Sequence, residues 1–80
     1  MILSEIVQKI EACPSLWTCK LNGEPAYIRY RWGIISVRLD QGKALWNEVV
    51  ASEQIGDDFD GFLDTDEMIE WVTNNGFVIK

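Results

Sequence analysis

Tyr27, Arg29, Arg31 and Arg38 stand within twelve residues of one another and include every arginine of the chain. Guanidinium groups bind phosphates, nucleotides and carboxylates through paired hydrogen bonds, so anion recognition is the first chemistry to consider. After them come nine carboxylates: Glu48, Glu53, Asp57, Asp58, Asp60, Asp64, Asp66, Glu67 and Glu70. Carboxylates can move protons in pairs, ligate a hard cation or attract a basic partner. The chain has no histidine. That excludes serine–histidine and cysteine–histidine nucleophilic chemistry, a histidine base and most zinc sites. No spacing specifies a catalytic carboxylate pair, and Gly56 and Gly61 form no phosphate-binding loop. The expectation is a protein that is not an enzyme and carries no cofactor.

Charge is divided along the chain. Residues 1–43 carry six basic side chains against four acids, or +2, and residues 44–80 carry nine acids and one lysine, or −8, together −6. An acidic chain of isoelectric point about 4.4 is repelled by nucleic-acid backbones and by anionic membrane surfaces. Direct nucleic-acid binding and membrane binding are therefore not expected. Neither a cleavable signal nor a long apolar run is visible, so a cytoplasmic location is expected. Cys13 and Cys19 match neither a redox pair nor a metal knuckle and read as two free, buried thiols.

The segment from Gly56 to Glu67 resembles a calcium-binding EF-hand loop. Aligned on Gly61 as its glycine, Asp58, Asp60, Asp64 and Glu67 fall on ligating positions and Leu63 on the apolar one, while Gly56 stands where a ligating Asp belongs. The resemblance implies at most a weak calcium site at those four acids. The competing reading is an acidic turn that caps a helix, with Asp64 as N-cap and Glu67 in capping-box position.

The acids Glu48, Glu53, Asp57, Asp58, Asp60, Asp66 and Glu70 together suggest a surface offered to a basic protein partner. In size and charge the chain is similar to phage and mobile-element inhibitors, anti-CRISPR proteins among them. That likeness implies a partner whose basic, nucleic-acid-binding groove is occupied in place of the phosphate backbone. The alternatives are an anionic-ligand binder through Tyr27, Arg29, Arg31 and Arg38, a weak calcium module, and a structural or regulatory protein with no ligand. Ile34 shares the arginine face, which suggests that something covers it. A salt-sensitive homodimer, with the acids of one chain over the arginines of the other, is expected to do so.

The elements that must position these groups follow from patterning. At 80 residues the chain forms one small domain. A first helix is predicted from Ser4 to about Ala12, because Leu3, Ile6, Val7, Ile10 and Cys13 recur at helical spacing. Pro14 ends it. Ser15–Leu21, Ala26–Arg31 and Ile34–Asp40 read as strands joined by turns at Asn22–Gly23 and Trp32–Gly33. Trp17, Cys19, Ile28, Tyr30, Ile35 and Val37 then share one face, and Tyr27, Arg29, Arg31, Ile34 and Arg38 the other. A turn at Gln41–Gly42 would pair Val37 with Trp46 in a fourth strand near Lys43–Glu48, with Val49–Ile55 strand, helix or loop. A second helix is predicted from Asp64 to about Asn74, burying Met68, Ile69 and Val72, then a stop at Gly76 and a short last strand. The predicted fold is α+β: N-terminal helix, three- or four-stranded antiparallel meander, second helix, short C-terminal strand.

Overall fold

The computed structural model describes residues 1–40, 48–57 and 60–80 and, of Glu48, the backbone alone. The chain runs β1 (Ile2–Ile10), β2 (Ser15–Leu21), β3 (Glu24–Arg31), β4 (Ile34–Leu39), β5 (Glu48–Gln54), α1 (Thr65–Asn74) and β6 (Val78–Ile79). The strands make one curled sheet in the order β5-β4-β3-β2-β1-β6, antiparallel throughout except that β6 joins β1 in parallel.

The two hairpin turns form where Asn22–Gly23 and Trp32–Gly33 call for them. Asn22, Gly23, Trp32 and Gly33 all have positive φ (51°, 85°, 55° and 74°), the backbone of a type I′ turn. The registers follow: Trp17 faces Ile28, Cys19 faces Ala26, Tyr30 faces Ile35 and Ile28 faces Val37. Strict alternation then buries Trp17, Ile28, Tyr30, Ile35 and Val37 on one face. Helix α1 closes over that face with Met68, Trp71 and Val72, and Leu63 and Phe77 fill its flanks.

The N-terminal helix does not exist; residues 2–10 are strand β1, so the helix-first layout is incorrect. The helical spacing of Leu3, Ile6, Val7 and Ile10 comes from irregular pairing with β2. The register shifts between Ser4 and Val7 and again between Gln8 and Ile10, and Glu5 has φ of 53°. Each shift interrupts the two-residue alternation. Leu3 and Ile6 therefore face the core, while Val7 pairs with Thr18 and Ile10 with Leu16 on the other face.

Three smaller expectations also change. Val37 pairs with Ala51 of β5, which settles Val49–Gln54 as strand; Gln41, Gly42, Lys43 and Trp46 lie outside the described residues. On α1, Trp71 is buried where Ile69 was expected, and Ile69 is 36% exposed. Cys13 is exposed and only Cys19 is buried, both as free thiols. The end of α1 forms as expected. Gly76 has φ of 89°, and the amides of Phe77 and Gly76 donate to the carbonyls of Val72 and Thr73, a Schellman stop that tucks Phe77 into the core.

Candidate acidic interface

Between β5 and α1 the chain crosses the turn end of the β3–β4 hairpin, and a ring of hydrogen bonds ties it there. The amide of Gly33 donates to the carbonyl of Asp60 (2.8 Å), while the amides of Ile55 and Gly56 donate to the carbonyl of Gly33 (2.8 and 3.1 Å). On the other side the Cys13 amide donates to the Gly61 carbonyl (2.8 Å), and Ala12 bridges to Phe62. The buried Ser15 hydroxyl donates to the Glu11 carbonyl and accepts from the Leu63 amide (3.0 Å). Gly56 passes so close to the hairpin that a Cβ there would stand 2.1 Å from the Tyr30 hydroxyl oxygen.

Two side-chain bonds then join the core face to the acidic segment, and a third ties α1 to β5. Tyr30 donates its hydroxyl to Asp60 Oδ2 (2.8 Å), Trp17 donates Nε1 to Thr65 Oγ1 (3.0 Å), and Trp71 donates Nε1 to Glu53 Oε1 (2.8 Å). Two expected partner-binding acids, Asp60 and Glu53, thus hold polar tips of core aromatics. Burial pushes the Tyr30 hydroxyl up to about 12, with the hydrogen bond and charge of Asp60 and the charges of Asp57 and Glu67 adding to it. The folded state therefore favours the protonated phenol. Its contribution to stability is complete below the ordinary value of 10.0 and is lost as pH rises towards about 12. Denaturation midpoints of the wild type and Tyr30→Phe should converge across that window. A constant gap up to pH 12 would show that Tyr30 is not held this way.

The remaining acids divide by position. Asp57, Asp64, Asp66, Glu67 and Glu70 are exposed, whereas Asp58 and the Glu48 side chain lie outside the described residues. Glu67 and Glu70 line a shallow cleft with Ile55, Trp71 and Asn74. Four of these recur at i, i+3, i+4 and i+7 of α1, so one stripe of the helix carries two carboxylates, an indole edge and an amide. Ile55, Trp71 and Asn74 were not expected as cleft walls; the spacing of Glu67, Glu70, Trp71 and Asn74 is the signal for the two on α1.

Tyr27, Arg29, Arg31, Ile34 and Arg38 fall on the sheet face turned away from α1, as alternation requires. Arg29 and Arg38 are diagonal neighbours in half-buried positions, and the Arg38 Nε donates to the buried Ser36 hydroxyl (3.1 Å). Arg31 instead turns towards the hairpin tip, its guanidinium 4.3 Å from the centre of the Trp32 ring. The arginines therefore do not converge on one point. Among the described residues the one ion pair joins Lys20 to Glu5 (3.0 Å) and includes no member of either set.

The geometry of the EF-hand-like segment differs from that of a calcium loop. Strand β5, not a helix, precedes it, and Asp60 is engaged by Tyr30 and by the Phe62 amide (3.2 Å to Oδ1). Asp64 occupies the N-cap position of α1 without a side-chain cap bond. Among the described residues no three His, Cys, Asp or Glu side chains gather as a metal site. Calcium is expected to bind no more tightly than about 0.1–1 mM. Isothermal titration giving micromolar affinity would contradict this.

Among the described residues no helix is long and apolar enough to cross a membrane. Compared with protein-family models, curated proteins and solved structures, the chain matches none of them.

Proposed function

We propose that this is a small, acidic, non-enzymatic interaction protein that binds a basic protein surface through its helix-bearing face. The partner surface is one that itself binds nucleic acid, and the chain acts as an inhibitor by occupying it. The observation that carries the reading is the cleft between Ile55 and α1. Glu67 and Glu70 offer four carboxylate oxygens at its rim, and Ile55 and Trp71 offer an apolar wall for the stem of an arginine or lysine. No basic residue lies between Lys43 and Lys80 in the sequence, so nothing in that segment competes for these acids. The absence of histidine supports a role without catalysis.

Binding of a small anion to the arginine face is the weaker reading. Arg29 and Arg38 stand on an open sheet, and Arg31 is drawn aside onto Trp32. The test is affinity capture from a lysate of the source cells at low salt, with the wild type and Glu67→Lys/Glu70→Lys side by side. Basic nucleic-acid-binding proteins should be retained by the wild type, lost by the variant and displaced by added nucleic acid. Equal retention by both proteins overturns the reading.

A further inference from the structure

The sheet has two faces, and α1 covers one. On the other, Val7, Ile34 and Val49 are 49, 40 and 46% exposed at separate positions. Cross-strand pairing sets them around the arginines. Val7, Thr18, Tyr27, Arg38 and Val49 form one row, and Arg31, Ile34 and Gln54 another, with Arg29 between. Five strands about 4.8 Å apart make this face about 20 Å wide. No described element crosses it.

The exposed stripe of α1 has the complementary chemistry. Asp66, Ile69, Glu70 and Thr73 follow one another at helical spacing, an apolar anchor flanked by carboxylates, on a helix about 15 Å long. We infer that this sheet face docks a second copy of this chain, which lays this helix stripe across Arg29 and Arg38 with Ile69 against Ile34, the diagonal neighbour of Arg29. Docking two copies sheet to sheet would instead oppose arginines with arginines.

The two surfaces lie on opposite sides of one sheet. A contact between different surfaces repeats head to tail, and it closes only if a rotation brings the chain of copies back on itself. Here the surfaces point in opposite directions, so the contact extends as an open row of copies instead of closing as a two-fold dimer. Each contact also hides the acidic face of one copy. A basic partner that takes that face shortens the row by mass action.

The inference rests on the reading of the acidic helix face as a docking surface, and sedimentation separates the two. At low salt the wild type should form a concentration-dependent series extending past the dimer. At about 1 M salt, where screening acts within about 3 Å, it should be monomeric. Arg29→Gln/Arg38→Gln removes one surface and Asp66→Asn/Glu70→Gln the other. Each variant, folded by circular dichroism, should be monomeric alone. An equal mixture should give a single one-to-one complex, because one intact surface of each kind remains. A wild type that stays monomeric at low salt overturns the inference even if the basic partner is still captured. So does a mixture that stays monomeric, or a dimer that both variants retain.

Discussion

Trp17→Ala should lower the free energy of unfolding by about 3–5 kcal/mol, the range for truncating a buried aromatic. At about 0.05–0.15 kcal/mol per residue, that is a large share of what an 80-residue domain possesses. Trp17 is fully buried, faces Ile28 across β2 and β3, and donates its indole N–H to Thr65 at the first residue of α1. The truncation therefore opens a cavity and frees the start of the helix that carries Asp66, Glu67 and Glu70. Trp17→Phe keeps most of the bulk and should cost less, chiefly the hydrogen bond of about 0.5–1.5 kcal/mol. Urea denaturation followed by circular dichroism measures both. A loss below about 1 kcal/mol for Trp17→Ala would mean that the core is not organised around this side chain.

Among the described glycines Gly33→Ala should be the most damaging substitution, at about 3 kcal/mol or more. Gly33 has φ of 74°, and a Cβ there would come within 2.4 Å of the carbonyl oxygens of Gly56 and Asp57. Those are backbone atoms, and relief requires the loop to lift. Lifting it breaks the bonds from Gly33 to Asp60, Ile55 and Gly56 and withdraws Asp60 from Tyr30. Gly23→Ala is the control. Its φ of 85° is just as unsuited to alanine, but nothing lies within 4 Å of the added carbon. It should cost only the left-handed backbone penalty of about 1–2 kcal/mol. Equal losses at Gly23 and Gly33 would show that the loop does not rest on the hairpin as described.

The hairpins were legible because their signals are local. Asn22–Gly23 and Trp32–Gly33 set the turns, and alternation from Trp17 to Val37 then leaves one register that buries a continuous face. The stop at Gly76–Phe77 was legible for the same reason. Strand β1 was not, because irregular pairing displaces its apolar residues from alternation to a spacing that an amphipathic helix shares. Only pairing with β2 distinguishes the two, and that contact is not written in residues 2–10 themselves. The placement of Ile69 shows a related limit. Periodicity defines a helical stripe, but packing on the sheet decides which edge of it is buried, and Trp71, bonded to Glu53, is buried in place of Ile69.

The arginine face was legible because Arg29 and Arg31 alternate on one strand and the two-residue turn pairs Arg38 with Tyr27 on the same face. The division among the acids was not. Nothing in the composition marks Glu53 and Asp60, which hold Trp71 and Tyr30, as different from Glu67 and Glu70, which face outward. For Asp60 that division depends on where the segment after β5 crosses the hairpin, and the crossing is set by Gly33 and Gly56, which let two backbones approach.

The most direct test of the acidic interface is chemical-shift mapping of the folded protein while a short capped oligo-arginine peptide is added at low salt. Shifts are expected at Ile55, Glu67, Glu70, Asn74 and the Trp71 indole, and they should be lost in Glu67→Gln/Glu70→Gln. Shifts confined to Val7, Tyr27 and Val49 on the opposite face, or a pattern that the double variant leaves unchanged, would contradict that interface.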